Sequence, residues 1–365
     1  MAHSEFPFTP CGVRGSVGAR SRGFTLLEML LVIFLMALVA SAGLMLTEGV
    51  EDQAKYDETK RRMELIRKAI VGDPTRTVNG APEISGFVAD MGRLPGCWRE
   101  LLEPSDCNDQ PLKEYSNGAC VDSTFTNESD CQDAGKLWVP IAFGWRGPYI
   151  SVVPDHDGVR RFRDGYGNED IDDDLNFGWV WRMYDADDEE TSNPDEAVLI
   201  RIKSKGFDGQ EDSSDDYPND TIANVTPLID SRDHQVKLDN WSGRVLFINR
   251  TSNPVPPNPA DTFTLKLKLN YPDGNGGVGL AVSNTFTLSG SDPIPAGASD
   301  YSPPITFSDG KTPPLGMHTL EVLCDDDTEF TNSCPGDSDH DRFGKISMLP
   351  FSQSTEFNLI WDIDD

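Results

Sequence analysis

The chain has 365 residues, of which 61 are Asp or Glu and 31 are Lys or Arg, so its formal net charge is −30. This length predicts two domains. The acidity argues against binding to nucleic acid and against adsorption to an anionic membrane surface, because both require clustered Lys and Arg. The 7 Trp, 8 Tyr and 18 Phe exceed the aromatic content of a disordered chain.

The N-terminal part of the chain differs from the rest in charge and in hydropathy. Residues 1–23 contain three arginines and one acid, and Phe24–Leu46 is a 23-residue apolar stretch whose only charge is Glu28. At about 1.5 Å per residue, this stretch is long enough to cross the roughly 30 Å of a membrane core. It is either a membrane-spanning helix or a secretory signal cleaved after Ala40-Ser41-Ala42. A carboxylate in an apolar stretch needs a partner of opposite charge, which the secretory signal does not explain.

The basic segment joins the apolar stretch through Arg22–Glu28, which reads RGFTLLE. This junction closely resembles the class III leader of type IV pilins and of the pseudopilins of type II secretion systems. The resemblance implies that a prepilin peptidase cuts between Gly23 and Phe24 and that the new amine of Phe24 is N-methylated. It also implies that Glu28 pairs with the N-terminal amine of a neighbouring subunit and sets the axial register of a filament. Two opposite charges in an apolar bundle are tolerable together and costly apart.

The helical pattern continues beyond the apolar stretch. There is no Pro between Thr47 and Val71, and apolar residues recur there at helical spacing. The recurring residues are Met63, Ile66, Ala69 and Ile70. Gly72-Asp73-Pro74 ends the pattern. The sequence therefore predicts one helix from Phe24 to about Val71, with a transmembrane part at 24–46 and an amphipathic part after it.

Four segments between residues 85 and 222 resemble, in the same order, motifs of the major pseudopilin of the type II secretion system. They are SGFVADMGRLP (Ser85–Pro95), GWRGPYISVVP (Gly144–Pro154), DGYGNED (Asp164–Asp170) and IKSKGFDGQEDSSDDYPNDTI (Ile202–Ile222). Strand-type residues at 177–184 and 197–202 flank an acidic loop. For residues 47–227 we therefore expect a pseudopilin helix and globular head, in which the amphipathic part of the helix packs on a small antiparallel sheet.

The segment Gly206–Asp220 contains six acidic residues around Gly209. Carboxylates this close together repel one another unless water solvates them or a hard cation such as calcium neutralises them. The residues alone leave a solvated loop and a calcium loop open. The resemblance implies a calcium ion held by Asp208, Asp216 and Asp220. Extra acids and the inserted Tyr217-Pro218 depart from the family pattern.

Seven cysteines are present, of which Cys11 belongs to the leader. The other six allow fifteen pairings. They are Cys97, Cys107, Cys120, Cys131, Cys324 and Cys334. Their grouping into three close pairs makes the local disulfides 97–107, 120–131 and 324–334 the simplest pairing. Disulfides place the globular part outside the cytoplasm.

After Pro227 the sequence is rich in Thr, Ser, Pro and Gly, with short alternating runs that predict strands. The runs are Val245–Asn249, Thr262–Leu269, Val282–Leu288, Ile305–Phe307, Met317–Leu323 and Phe357–Ile363. Their spacing resembles an immunoglobulin-like β-sandwich over residues 228–365. Asp337–Asp341 lacks the glycine and the final glutamate of a calcium loop, so we expect a solvated loop there. Asp155–Gly158 is expected to form a turn.

The fold class expected is α+β: a long N-terminal helix packed on a small antiparallel sheet, followed by the sandwich. Enzyme motifs are absent from the sequence, so no enzymatic activity is expected. The resemblance implies a structural subunit of a pseudopilus or type IV pilus-like filament that supports type II protein secretion. Its partners would be prepilin peptidase, other pseudopilin subunits and the inner-membrane assembly platform.

The subunit would sit in the bacterial inner membrane with its globular part in the periplasm, or in an extracellular filament. One alternative is a minor pilin or tip adhesin whose sandwich binds a surface or a cargo. Another is a soluble secreted calcium-binding protein, which requires cleavage after Ala42.

Overall fold

A computed structural model describes residues 25–73, 75–78, 80–122, 124–169, 176–211, 213–324, 343–348 and 356–363. The chain divides into two compact units, Met1–Ala54 and Lys55–Asp365. The described residues form an α+β architecture with an N-terminal apolar helix and several antiparallel sheets. Three sequence predictions lie outside them, namely the cleavage site Gly23–Phe24, the cysteine Cys334 and the acidic segment Asp337–Asp341.

Helix α1 spans Leu26–Val71 and contains 46 residues, in agreement with the predicted long helix. Within it, Leu26–Gly43 has a mean hydropathy of 2.4, and every side chain of this segment is exposed. Its length and composition are compatible with a membrane anchor. The helix ends before Gly72, whose φ is 84° and whose Cβ, if it had one, would lie 2.4 Å from the carbonyl oxygen of Ser85. This position requires glycine, which explains why the helix stops there.

Short elements follow α1 in the globular unit. They are strands Thr77–Val78 (β1) and Ala81–Pro82 (β2), helices Phe87–Met91 (α2) and Arg99–Leu102 (α3), strand Ala119–Cys120 (β3), helix Glu128–Asp133 (α4) and strand Trp138–Val139 (β4). Strands β1 and β2 pair with each other, as do β3 and β4. Disulfides join Cys97 to Cys107 and Cys120 to Cys131. The first disulfide therefore closes the loop that contains α3, and the second joins β3 to α4.

The first sheet has three antiparallel strands in the order β6-β5-β7. These strands are Trp179–Tyr184 (β5), Glu190–Thr191 (β6) and Leu199–Ser204 (β7). Ile66 and Ile70 of α1 are fully buried in one hydrophobic core with Trp179, Ile200 and Ile202 of this sheet. The helical stripe read from the sequence is thus the face of α1 that packs on the sheet.

The remaining elements are mostly strands. They are the single-turn 3-10 segments Ile222–Asn224 and Leu238–Asn240, helix Ser231–His234 (α5), and strands Ser242–Asn249 (β8), Thr262–Pro272 (β9), Val278–Val282 (β10), Phe286–Ser289 (β11), Ser299–Tyr301 (β12), Ile305–Thr306 (β13), Gly316–Cys324 (β14), Phe343–Met348 (β15) and Glu356–Ile363 (β16). One sheet has the order β10-β9-β14-β15, with β11 also paired to β9. The other has the order β12-β8-β13, with β16 parallel to β8.

Both sheets contribute to one hydrophobic core. Alternate residues of β8 and β9 point into it, among them Val245, Phe247, Leu265, Leu267 and Leu269. The run Val282–Leu288, predicted as one strand, forms parts of β10 and β11 instead. Val282 pairs with Lys268, and Phe286 pairs with Leu265. The four residue steps from Val282 to Phe286 therefore lie opposite only three residue steps of β9. This extra residue is a β-bulge, which a hydrophobicity pattern does not locate.

The cysteine-rich segment packs directly against the five-stranded sheet. The hydroxyl of Thr319 on β14 donates to the carbonyl oxygen of Pro140, 2.9 Å away. A Cβ on Gly92 would lie 2.5 Å from the carbonyl oxygen of Pro272 at the end of β9. Residues before and after the predicted boundary at 227/228 therefore belong to one compact unit.

A buried histidine in β14 predicts loss of stability in acid. His318 is 0% exposed and donates through Nε2 to the carbonyl oxygen of Pro314, 2.7 Å away. Burial lowers the pKa of His318 to about 4, although this hydrogen bond opposes the shift. The unfolded chain binds the proton near pH 6.5 and the folded chain only near pH 4. Stability is therefore present above pH 6.5 and falls by about 3 kcal/mol as the pH drops to 4.

To check this prediction, the thermal midpoints of the wild type and of His318→Gln are measured as a function of pH between 7 and 4. The variant is expected to lose less stability over this interval. Burial also lowers the pKa of His234, but that residue is present in both proteins and cancels from the difference. Parallel pH profiles for the two proteins would contradict the prediction.

Candidate functional site

The side chain of Glu28 helps to start helix α1. Its Oε2 accepts hydrogen bonds from the backbone N of Thr25 at 2.8 Å and from the Thr25 hydroxyl at 3.0 Å. In return, the backbone N of Glu28 donates to Thr25 Oγ1 at 3.2 Å. This reciprocal arrangement is a capping box, and it satisfies backbone donors at the first turn that have no partner within the helix. The acid predicted to set filament register is therefore placed at the helix start with a fixed local geometry.

The first two motifs read from the sequence contact each other. Asp90 lies in α2 and Tyr149 follows the Gly-Pro pair, and the Tyr149 hydroxyl donates to Asp90 Oδ2 at 3.0 Å. Arg146 forms an ion pair with the other oxygen of Asp90 at 2.9 Å. Burial raises the pKa of Asp90 above its usual value, and the charge of Arg146 opposes the rise. The two segments therefore hold each other in place around one buried carboxylate.

The third motif, DGYGN, is organised around the buried carboxylate of Asp164. Its Oδ2 accepts from the Ser204 hydroxyl at 2.7 Å and from Asn168 Nδ2 at 2.8 Å, and its Oδ1 accepts from the backbone N of Asn168 at 3.0 Å. Burial raises the pKa of Asp164, while the hydrogen bonds from Ser204 and Asn168 lower it. Asp164 thus joins its own turn to the end of strand β7.

The same motif docks on the amphipathic part of α1. The backbone N of Gly165 donates to Thr59 Oγ1 at 3.1 Å, and a Cβ on Gly165 would lie 2.2 Å from the carbonyl oxygen of Lys55. Arg62 Nη1 donates to the carbonyl oxygens of Arg163 and Asp164 at 2.7 and 2.9 Å. The glycine is required because the turn meets the backbone of the helix.

Asn168 also connects this turn to the acidic loop. Its Nδ2 donates to the carbonyl oxygen of Gly206 at 2.6 Å. Gly206 has a φ of 63°, and a Cβ there would lie 1.8 Å from the carbonyl oxygen of Asp215. The loop returns to β7 where Ser204 and Tyr217 exchange two backbone hydrogen bonds of 2.7 and 3.0 Å. Helix α1, the DGYGN turn and the acidic loop therefore form one continuous hydrogen-bonded site.

The three acids predicted to bind calcium have different surroundings. Asp208 is exposed, and its Oδ1 accepts from the backbone N of Gln210. Asp216 is buried, and its Oδ2 lies 2.6 Å from the ammonium of Lys203. Asp220 is exposed, and its Oδ1 accepts from the backbone N of Thr221 at 2.8 Å.

These three residues do not fit a calcium ion in this arrangement, because an ammonium group is already bound to the one buried carboxylate. Within the described parts of the chain, the three potential metal ligands that lie together are Cys97, Glu100 and Cys107. Both sulfurs of that group are joined in a disulfide. The thermal stability of the chain in EDTA and in calcium tests whether this loop binds the ion.

Two important residues of the site, Lys203 and Asp164, were not predicted from the sequence. Lys203 follows Ile202 at the end of a predicted strand in which apolar and basic residues alternate. This pattern places the Lys203 side chain on the polar, solvent-exposed face of the strand. The sequence signal that could have indicated a buried ion pair is the position of this lysine, immediately before a loop with six acidic residues. Asp164 was read only as part of a family motif, and its role depends on contacts with residues about 40 and 100 positions away.

Comparison with known proteins adds one finding. Residues 18–44 match the family model for the prokaryotic N-terminal methylation motif. No curated protein matches the chain, and no solved structure matches it. The matched segment contains the Gly23–Phe24 junction, Glu28 and most of the apolar helix that is long enough to span a membrane.

The motif implies processing by a prepilin peptidase and assembly with other pilin subunits. The pilin-like family, whose members carry this motif, is a structural and non-enzymatic kind of protein. The chain thus carries the N-terminal signal of a type IV pilin-like substrate of prepilin peptidase.

Proposed function

We propose that this protein is a structural subunit of a pseudopilus or type IV pilus-like filament that supports type II protein secretion. The observation that carries the proposal is the methylation motif at residues 18–44, followed by a 46-residue helix whose first part is apolar and exposed. An exposed apolar helix can be covered by lipid before assembly and by neighbouring helices after it. In the proposed subunit, Glu28 pairs with the N-terminal amine of a neighbour.

The contacts among the resembling motifs in the globular unit support the pseudopilin proposal. The motifs that resemble the major pseudopilin contact one another through Asp90 and Tyr149, and through Asp164, Asn168 and Gly206. These contacts explain why each motif contains the residues that it does. We further propose that the two sheets after residue 227 form an immunoglobulin-like sandwich, since both contribute to one core. The globular unit would lie in the periplasm, where disulfides are stable.

The processed N-terminus tests this proposal. The full chain is expressed with and without a prepilin peptidase, and the mature N-terminal peptide is identified by mass spectrometry. The expected product begins with N-methylated Phe24 and forms only when the peptidase is present. An N-terminus immediately after Ala42 would instead indicate a secretory signal peptide and would contradict the filament assignment.

The size of the β-rich part favours a second candidate, a minor pilin or tip adhesin. This part forms two sheets and its own hydrophobic core, and every copy of a major subunit would have to accommodate it along the filament. Immunogold labelling of assembled filaments distinguishes the two roles. Label along the whole filament supports a major subunit, and label only at the tips supports the second candidate.

A further inference from the structure

Lys203 is buried at the base of the acidic loop Gly206–Asp220. It is the fifth residue of β7, and its side chain is 0% exposed. Its Nζ lies 2.6 Å from Oδ2 of Asp216 and donates to the carbonyl oxygen of Asp220 at 3.0 Å. The ammonium therefore contacts both the middle and the end of the loop.

A hydroxyl group extends this contact towards the start of the loop. Ser213 Oγ lies 3.3 Å from Oδ1 of Asp216 and 3.1 Å from Oδ1 of Asp208. The two oxygens of Asp216 thus contact different groups, the ammonium on one side and the hydroxyl on the other. Lys203, Asp216, Ser213 and Asp208 form a continuous chain of polar contacts that follows the loop.

The buried carboxylate of Asp216 needs a compensating positive charge. A buried carboxylate is stable only if a cation or several hydrogen-bond donors compensate for its lost hydration. Calcium would meet this need with six to eight oxygen ligands. A lysine ammonium meets it with one charge and three N–H donors, at the short distances typical of charge-assisted hydrogen bonds.

We infer that Lys203 is the resident cation of this loop. Its ammonium binds Asp216 and the carbonyl group of Asp220 where the family resemblance leads one to expect a calcium ion. The loop Gly206–Asp220 consequently closes without metal. The backbone pairing of Ser204 with Tyr217 and the bond from Asn168 to Gly206 complete the closure from the protein itself.

The first test uses the wild-type chain in detergent, with its thermal midpoint followed by tryptophan fluorescence. The midpoint is measured in EDTA and in millimolar calcium. We expect the two values to agree within about 1 °C, because no bound ion contributes to stability. Calcium bound at a hundredfold excess over its dissociation constant would raise the midpoint by about 4 °C. A rise of that size would overturn the inference.

The second test removes the ammonium. Lys203→Met keeps much of the apolar stem and leaves the Asp216 carboxylate buried beside it, so we expect the midpoint to fall by about 5 to 8 °C. Lys237→Met, a change at an exposed lysine, is the matched control and should alter the midpoint little. The double variant Lys203→Met/Asp216→Asn, which removes both charges, should recover part of the loss.

Hydrogen exchange locates the effect of the substitution. The amides of Ser204 and Tyr217 are expected to exchange faster in Lys203→Met than in Lys237→Met. Equal midpoints and equal exchange in these two variants would show that Lys203 does not close the loop. If Lys203→Met does not fold, the comparison of EDTA with calcium in the wild type decides the question alone.

Discussion

Glu28→Gln is expected to be cleaved and N-methylated like the wild type, yet to assemble less than about a tenth as many filaments. Gln can replace Glu in a capping box, so the start of α1 is retained. The substitution therefore removes only the charge that, in our proposal, pairs with the N-terminal amine of a neighbouring subunit. Because both contacts with Thr25 use Oε2, Oε1 can accept from that amine at the same time.

The measurement is the amount of subunit in sheared, sedimented filaments, relative to the processed subunit left in the membrane. Thr25→Ala is the matched control, since it removes the hydroxyl of the capping box and keeps the carboxylate. We expect Thr25→Ala to assemble. Normal assembly of Glu28→Gln would show that the negative charge is not needed for register. Equal loss in both variants would assign the role of Glu28 to the helix start instead.

Asp164→Ala is expected to destabilise the globular unit by about 3 to 5 kcal/mol. The substitution leaves the buried hydroxyl of Ser204 and the backbone N–H of the half-buried Asn168 without their acceptor, and it removes the carboxylate that joins the DGYGN turn to β7. The turn also holds Arg62 and Thr59 of α1. Loosening it therefore weakens the contact between helix and sheet as well as the turn.

The thermal midpoint of the full chain in detergent measures this loss. Ser204→Ala removes one hydrogen bond to the carboxylate and the one that Ser204 Oγ accepts from the backbone N of Gly206, and should cost about 1 to 2 kcal/mol. Asp157→Ala is the matched control, because Asp157 is an exposed acid in the preceding turn whose ion pair with Arg161 lies at the surface. A loss in Asp164→Ala no larger than in Asp157→Ala would show that the buried carboxylate does not organise the site.

The sequence predicted the features that depend on local pattern. Helix α1 follows from an uninterrupted helical stripe that ends at Gly72, and β8, β9 and β14 follow from alternating apolar residues. The two disulfides follow from close spacing of cysteines. In each case the residues that decide the structure lie within one element or one short loop.

Features that depend on distant contacts were missed. The bulge between β10 and β11 appears only when both strands pair with β9. Lys203 reads as the end of an amphipathic strand, and its burial results from a loop that returns 13 residues later to place Asp216 beside it. The resemblance grouped Asp208, Asp216 and Asp220 as ligands of one ion, whereas the structure separates the buried Asp216 from the exposed Asp208 and Asp220.

The parallel pairing of β16 with β8 sets the order in which the globular unit can fold. Each residue of β16 pairs with a residue of β8 that was made more than 100 positions earlier. Trp361 and Ile363 of β16 also fill the shared core, where they are 4% and 1% exposed. Contacts this distant in sequence form slowly, after the intervening chain has been released. The four-stranded sheet therefore stays incomplete until β16 has been synthesised and has reached β8, so the closing of this sheet is a late step in the folding of the globular unit.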